Sequence, residues 1–178
     1  KNFNSMILPN HLGVIIDGNR RWALKHNLPP WKGHWEGAKR LEDFLNWCLE
    51  IGIKNVSVYT LSTENLNRPK RELEELFKIY HHYLQKWERG ESDFLEKYEV
   101  KVRFIGDLSR LPPRLVKLMG KLMVKTAKYQ KRMLNLLVAY GFHFEIKEVV
   151  KKIVEKAIRV GRIEISEKDI ERNLLVPI

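Results

Sequence analysis

Four short apolar segments, separated by longer segments of helical period, organise this chain. They are rich in β-branched and aromatic residues and comprise "LGVII" (12–16), "NVSVYTL" (55–61), "KVRFI" (101–105) and "LNLLVAY" (134–140). Residues of these types favour strands. Because the apolar character is nearly continuous rather than alternating, both faces of each strand are expected to be covered.

Helical periodicity fills the intervals between these strands. Apolar residues recur every three to four positions in the segments 38–49, 73–87 and 146–157. Gly52 and Gly161 follow the first and the last of these segments as candidate C-caps, because glycine readily adopts the left-handed conformation that ends many helices. A proline pair precedes another helical segment, "LPPRLVKLMGKLMVKTAKY", and Ser166 is placed to cap a short final helix, with Asp169 three residues on.

Strand and helix thus alternate, an order typical of α/β folds. We predict a mostly parallel central sheet with helices on both faces, in a single domain over residues 1–178. Ligands of such sheets bind beyond the carboxyl ends of the strands. Polar residues and glycines follow the predicted strands at 17–21, 62–68, 106–107 and 140–141. The sequence therefore predicts a binding site at this edge of the sheet.

Charge and composition narrow the classes of partner. Lys and Arg number 33 against 22 Asp and Glu, a formal net charge of +11, which favours anionic partners such as nucleic acid, an anionic membrane surface or phosphorylated small molecules. No segment approaches the roughly 20 apolar residues that span a bilayer. The single cysteine, Cys48, excludes an internal disulfide, and its place on the apolar side of a helix predicts an inert core residue.

The first strand runs directly into "DGNRR" (17–21). Gly18 allows close backbone approach, and the planar guanidinium groups of Arg20 and Arg21 match phosphate oxygens. Asp17 beside these bases is explained if Mg²⁺ bridges its carboxylate and a phosphate, because Mg²⁺ is commonly held by one or two carboxylates together with substrate phosphates. A structural ion pair between aspartate and arginine is an equally good explanation from sequence.

Two further groups of polar residues have both a functional and a structural explanation. We place His34, in "WKGHWEGAKR", just before a helix. There it could help to bind an anion at the helix N-terminus, or it could be a structural residue that caps the helix or packs against it. "LSTENLNRP" follows the second strand and contains Ser62, Thr63, Glu64, Asn65 and Arg68. These side chains could orient a diphosphate and assist a proton transfer, or they could belong to an ordinary loop whose serine and asparagine cap turns.

Five segments together resemble the ordered blocks of the cis-prenyltransferases, the undecaprenyl (di-trans,poly-cis polyprenyl) diphosphate synthase family. They are "HLGVIIDGNRRWA", "KGHWEGAKR", "VSVYTLSTENLNRP", "VRFIGDLSRLP" and "LNLLVAYG". The combination of "DGNRRWA" with "STENLNRP" is highly specific, and the doubled arginine is more similar to archaeal and eukaryotic members than to bacterial ones. Signatures of P-loop, dinucleotide-binding, zincin and α/β-hydrolase sites are missing from the sequence.

The resemblance implies a Mg²⁺-dependent transferase that condenses isopentenyl diphosphate with an allylic diphosphate such as farnesyl or geranylgeranyl diphosphate. By position, Asp17 would be the catalytic Mg²⁺ and diphosphate ligand, and Asn65 a candidate proton acceptor. The implied substrate-binding residues are Gly18, Asn19, Arg20, Arg21, Trp22, His34, Ser62, Thr63, Glu64 and Arg68. The growing chain would lie in an apolar tunnel walled by the segment 73–87, although core packing explains that segment equally well.

The sequence departs from the family pattern at four places. Pro30 stands where an arginine is common, Leu66 where a tryptophan is, and "YGGR" has become "YGFH" with Phe142 and His143. The chain also ends before the family's "R-T-x-G-E-x-R-x-S" block and a later glutamate, which bind isopentenyl diphosphate and complete the metal site. We expect a C-terminal truncation, so that the acceptor site lies outside these residues.

Two other functions compete with prenyl transfer. A non-catalytic or regulatory subunit of a prenyltransferase pair would bind the lipid diphosphate without turnover. Nucleic-acid binding is suggested only by the net charge of +11, and we expect no nucleic-acid partner. The family resemblance implies a homodimer, and a lipid product implies a cytoplasmic protein with peripheral membrane contact.

Overall fold

The computed structural model describes residues 7–162 and 165–176. Its sheet has four strands, β1 (His11–Ile15), β2 (Asn55–Ser62), β3 (Val100–Ile105) and β4 (Arg132–Tyr140). They lie in the order β1-β2-β4-β3, and every neighbouring pair is parallel. All four strands lie within two residues of their predicted positions, and the predicted α/β fold with a parallel sheet is confirmed.

Within the described ranges, seven α-helices accompany the sheet: α1 (Asn19–Lys25), α2 (Pro30–Ile51), α3 (Lys70–Glu88), α4 (Phe94–Lys97), α5 (Pro113–Thr126), α6 (Phe142–Val160) and α7 (Glu167–Asn173). Gly52 and Gly161 end α2 and α6 with φ values of 98° and 69°, as predicted. Ser166 and Asp169 form a reciprocal capping box at the start of α7. Periodicity did not predict α1 or α4, because α1 buries only Ala23 and α4 has just four residues.

The main core lies between one face of the sheet and the helices α2, α3 and α5. Val58 of β2 belongs to this core together with Leu45 of α2, Leu84 of α3 and Met119 of α5, and all four are buried. Cys48 belongs to the same core, as predicted, and burial raises the pKa of its thiol. Burial of this apolar surface is the main force that holds the three helices against the sheet.

The opposite face of the sheet is more polar. Ser57 accepts a hydrogen bond from Nδ2 of Asn135 at 3.0 Å, and Arg103 donates to the backbone oxygen of Leu175, which follows α7. Helices therefore lie on both faces, as predicted, although the cover is uneven. At the edge strand β1, the side chain of Ile15 is 72% exposed.

The predicted position of His34 at the start of a helix is wrong. Helix α2 begins at Pro30, one turn earlier than we expected, so His34 lies in its second turn and is buried. Proline is favoured in the first turn of a helix, because its φ angle fits and its missing N–H would have no intrahelical partner there. His34 therefore cannot donate to an anion from a helix end, although its side chain still faces the candidate site.

Candidate active site

A cavity of about 150 Å³ opens at the carboxyl ends of β1 and β2 and extends between α2, α3 and the sheet. Eight of the twelve residues selected from sequence line it: Asp17, Gly18, Asn19, Arg20, Arg21, His34, Asn65 and Arg68. The carboxyl ends of neighbouring parallel strands meet at one edge of a sheet, which is why residues so distant in sequence converge here. The structure thus unites both sequence blocks in one site.

Asp17 stands exposed at the mouth of this cavity. One carboxylate oxygen accepts a hydrogen bond from the backbone N–H of Gly18 at 2.5 Å, and the other lies 2.9 Å from Nη2 of Arg21. Gly18 has φ 94°, a conformation that favours glycine and turns the chain from β1 into α1. The side chains of Asp17 and Arg21 are 79% and 75% exposed, so a ligand can reach both.

Glu72 is a site residue that the sequence analysis missed. Its carboxylate is 3% exposed, and Oε1 lies 2.9 Å from Nε2 of His34 and 3.6 Å from Nε of both Arg20 and Arg68. One buried acid therefore contacts three candidate site residues, from α1, α2 and the loop before α3. A signal was present in the sequence, because Glu72 lies four residues before the core residue Leu76, on the apolar face of α3.

Burial lowers the pKa of His34, and the hydrogen bond to Glu72 only partly opposes this effect. The imidazole is consequently neutral at pH 7, and its one N–H, on Nε2, donates to the carboxylate of Glu72. Positive charge at the mouth of the cavity therefore comes from Arg20, Arg21 and Arg68, while His34 helps to hold the carboxylate of Glu72 in place. Such a cluster of donors, fixed by a buried acid, suits an anion with several oxygens.

Asn19 fixes α1 against α2. Its backbone oxygen lies where a Cβ on Gly33 would stand, and its side-chain amide lies where a Cβ on Gly37 would stand. The two glycines are one turn apart on α2 and carry no side chains. They therefore leave a shallow groove on the helix surface in which Asn19 fits. This close approach holds the "DGNRR" segment over the mouth of the cavity.

The loop after β2 makes the contacts of an ordinary capped turn. The backbone N–H of Asn65 donates to Oγ of Ser62 at 3.1 Å, and Oδ1 of Asn65 accepts from the backbone N–H of Ser62 at 3.4 Å. Oγ1 of Thr63 donates to the exposed carboxylate of Glu64. Hydrogen bonds from its own backbone, Ser62 and Thr63 lower the pKa of Glu64, which makes this carboxylate a weak base. Of these four residues, Asn65 lines the cavity.

Trp22 lies outside the cavity, on the exposed side of α1. Its ring stacks on that of His26 with the centroids 4.2 Å apart, and the tryptophan is 39% exposed. Ser62, Thr63 and Glu64 also lie outside the lining of the cavity. The geometry thus brings together eight of the twelve predicted residues and leaves these four at its edge.

Beyond the polar mouth the cavity becomes apolar. Its deep wall includes Leu45 of α2, Leu84 and Trp87 of α3 and Leu136 of β4. The hydroxyl of Tyr80 donates to Thr60 at 2.7 Å, and burial raises the pKa of this tyrosine. The stripe along α3 therefore combines both functions considered from sequence, since it packs in the core and also lines the cavity.

The donor set at the mouth fits a magnesium ion that arrives with its ligand. Among residues 7–162 and 165–176, no group of three His, Cys, Asp or Glu side chains is placed to hold a metal by itself. The exposed carboxylate of Asp17 offers oxygen ligands beside three cationic side chains. A single carboxylate completed by phosphate oxygens is a common arrangement for Mg²⁺.

Comparison with known proteins decides the family. The prenyltransferase family model described as undecaprenyl diphosphate synthase matches residues 15–177. The chain belongs to this family. It is 44% identical over 162 residues, 91% of the chain, to the geranylgeranyl-diphosphate-specific tritrans,polycis-undecaprenyl-diphosphate synthase of Methanopyrus kandleri. It is 42% identical over 164 residues, 92% of the chain, to the isoprenyl transferase of Aquifex pyrophilus. The chain spans 59% and 68% of the lengths of these two relatives.

Solved structures of the family share the fold. Lavandulyl diphosphate synthase from Lavandula x intermedia, in complex with dimethylallyl diphosphate, aligns with a TM-score of 0.85 at 29% identity and covers 94% of this chain and 71% of its own. A probable undecaprenyl diphosphate synthase from Campylobacter jejuni aligns with a TM-score of 0.74 at 29% identity, over 97% and 72% of the two chains. The predicted cis-prenyltransferase fold is confirmed.

Proposed function

We propose that the protein containing this chain elongates a prenyl chain in cis. It condenses isopentenyl diphosphate onto an allylic diphosphate, farnesyl or geranylgeranyl, to make a long-chain polyprenyl diphosphate, the lipid precursor of a glycan carrier. One observation carries the proposal: a cluster of cationic side chains around Asp17 and Glu72 forms the mouth of a cavity whose depth is apolar. An allylic diphosphate has the same division, with a charged head and an apolar tail.

In the proposed reaction the allylic C–O bond breaks, a C–C bond to isopentenyl diphosphate forms and that substrate loses a proton. Arg20, Arg21 and Arg68 stabilise the negative charge that grows on the leaving diphosphate. His34 donates to Glu72, which in turn positions Arg20 and Arg68. Asp17 would hold Mg²⁺ together with the diphosphate, and the ion would supply further positive charge at the leaving group. Asn65, on the wall of the cavity, is the proposed first acceptor of the proton through its amide oxygen, and the released diphosphate, a stronger base, takes the proton up.

The proposal includes a homodimer. Helix α6 exposes five apolar side chains spaced four residues apart, Phe142, Ile146, Val150, Val154 and Ile158, which are between 37% and 78% exposed. Rows with this spacing on two copies of a helix pack into each other's grooves, so the surface is self-complementary. Sedimentation of Val154→Glu beside the unchanged protein tests this part, and an unaltered dimer in the variant would contradict it.

We further propose a cytoplasmic location with peripheral attachment to the membrane. None of the helices in the described part of the chain is long and apolar enough to cross a bilayer. The net charge of +11 would attract the protein to anionic lipid, where a polyprenyl product is released. Flotation with anionic and neutral vesicles at two salt concentrations tests this proposal.

The function is tested by Asp17→Ala in the full-length protein, supplied with an allylic diphosphate, isopentenyl diphosphate and Mg²⁺. Loss of electrostatic stabilisation at the leaving group should reduce product formation by about 100-fold or more. Asp43→Ala is the matched control, because Asp43 also forms an exposed ion pair, with Arg40 at 3.3 Å, but lies outside the cavity. Full activity in Asp17→Ala would refute the proposal, and product formation by the purified protein alone would exclude a purely regulatory subunit.

A further inference from the structure

An ion pair joins α2 to α3 beside the deep part of the cavity. Nζ of Lys86 lies 2.8 Å from Oε1 and 3.0 Å from Oε2 of Glu42, so one ammonium group contacts both carboxylate oxygens. The two side chains are 30% and 18% exposed, and Glu42 lines the cavity itself. The pair thus crosses the seam between the two helices that wall the cavity.

The seam has a second polar connection at its other end. There His34 of α2 contacts Glu72 of α3 at the mouth of the cavity. With a rise of about 1.5 Å per residue, Glu42 lies about 12 Å along α2 from His34, and Lys86 about 21 Å along α3 from Glu72. The wall between these two connections is mostly apolar and includes Leu76 and Ile79. One connection therefore belongs to the diphosphate end of the cavity and the other to the end that the tail would reach.

The cavity is too small for the proposed product. Its volume is about 150 Å³, and an apolar protein cavity of about this size admits a molecule such as benzene. This enclosed space is far smaller than a chain of many five-carbon units, so such a chain cannot fit while the walls stay where they are. Protein interiors are close-packed, and the space has to come from separation of the walls.

We propose that the seam between α2 and α3 opens as the prenyl chain grows, and that the Glu42–Lys86 ion pair is a clasp that limits this opening and thereby product length. The inference rests on the proposed function. The clasp is formed when the helices are close and broken when they separate, so it shifts the equilibrium toward the closed cavity. Each added prenyl unit stabilises the open cavity by burying more apolar surface. Elongation stops when this stabilisation no longer exceeds the free energy needed to break the clasp and the remaining contacts between the helices.

A different role for the same residues predicts a different result. If the carboxylate of Glu42 merely stopped the tail by its polarity, removing Lys86 would leave that carboxylate unpaired and would shorten the products or leave them unchanged. If the pair is a clasp, removing either partner should lengthen them. Lys86→Met is therefore the decisive variant, because it keeps most of the aliphatic stem and removes the charge.

The experiment compares the full-length protein with Lys86→Met, Glu42→Gln and the charge-swapped double variant Glu42→Lys/Lys86→Glu. Product lengths are measured by mass spectrometry after incubation with geranylgeranyl diphosphate and isopentenyl diphosphate, and circular dichroism confirms folding. Lys78→Met is the control, because Lys78 pairs with Glu75 within α3 and does not cross the seam. The single variants should raise the fraction of products longer than the main unmodified product by about twofold to fivefold, the effect that a partly exposed ion pair has on an equilibrium.

The swapped variant should return the distribution toward that of the unmodified protein, and Lys78→Met should leave it unchanged. Unchanged or shorter products from an active Lys86→Met would overturn the clasp and leave the proposed function intact. If Lys78→Met lengthened the products as much as Lys86→Met does, the clasp would also be overturned, because loss of a lysine outside the seam would then have the same effect on product length. Absence of product from the unmodified protein would overturn the proposed function, and the clasp with it.

Discussion

Oε1 of Glu72 lies 2.9 Å from Nε2 of His34, and both side chains are almost completely buried. The same oxygen is 3.6 Å from the guanidinium nitrogens of Arg20 and Arg68. Removal of one partner from a buried ionic cluster is costly, because the remaining charges lose their compensation. Glu72 is therefore a positioning residue, which acts on the proposed ligand through Arg20 and Arg68.

Glu72→Gln should lower the free energy of unfolding by about 1 to 3 kcal/mol, since two arginines then lack a buried counter-charge. Inorganic pyrophosphate should stabilise this variant more than the unmodified protein, because the added anion replaces the lost negative charge. Thermal melting with and without pyrophosphate measures both effects. The control is Glu75→Gln, which removes a more exposed acid from the same helix. Equal stabilisation of the variant and the unmodified protein by pyrophosphate would contradict the role of Glu72.

The buried imidazole of His34 should make stability depend on pH. Its pKa in the folded protein is lowered by burial from the ordinary value of 6.5. The unfolded chain therefore binds more protons between these two pKa values, and the free energy of unfolding falls as pH falls from about 6.5 toward the lower pKa. Chemical denaturation between about pH 5 and 7.5 should show this slope in the unmodified protein and a shallower one in His34→Gln.

The exposed residue His81 supplies the control for that measurement. His81→Gln should keep the slope of the unmodified protein, because the side chain of His81 is exposed to solvent in the folded protein. If His34→Gln and His81→Gln reduced the slope equally, burial of His34 would not be its cause.

Asp17→Asn should separate a ligand-binding role from a structural one. The ion pair with Arg21 is about three-quarters exposed on both sides, and pairs of this kind contribute little to stability. We expect the free energy of unfolding to change by less than about 0.5 kcal/mol, while product formation is lost. A large loss of stability in urea denaturation would instead support the structural ion pair that the sequence left open.

Strand positions and helix faces were predictable because they follow from periodic burial. Val58 and Leu136, for example, stand opposite each other in neighbouring strands, and both face the main core. The start of α2 was misplaced because the regular apolar period begins only at Ala38, whereas Pro30 is the first residue of the helix. Helix α1 was not predicted because it has a single buried residue, Ala23, and one residue cannot give a helical pattern of apolar positions.

At the site, residue types were easier to predict than contacts. Charge and glycine content selected Asp17, Gly18 and Arg21, which line the cavity. Glu72 was missed because its three partners come from separate segments, and only the fold brings them together. The hydrogen bonds between Ser62 and Asn65 depend on backbone geometry that residue types alone do not specify.

Two glycine substitutions should have opposite effects on stability. A Cβ on Gly33 would collide with the backbone oxygen of Asn19, whereas a Cβ on Gly120 of α5 has no neighbouring atom within 4 Å. Gly33→Ala should destabilise the protein by about 1 to 3 kcal/mol through overpacking, and it should also weaken pyrophosphate binding, since α1 carries Arg20. Gly120→Ala should stabilise it by about 0.5 to 1 kcal/mol, because alanine is the better helix former. Urea denaturation and calorimetric titration measure these quantities, and a neutral Gly33→Ala would show that α1 docks without the groove on α2.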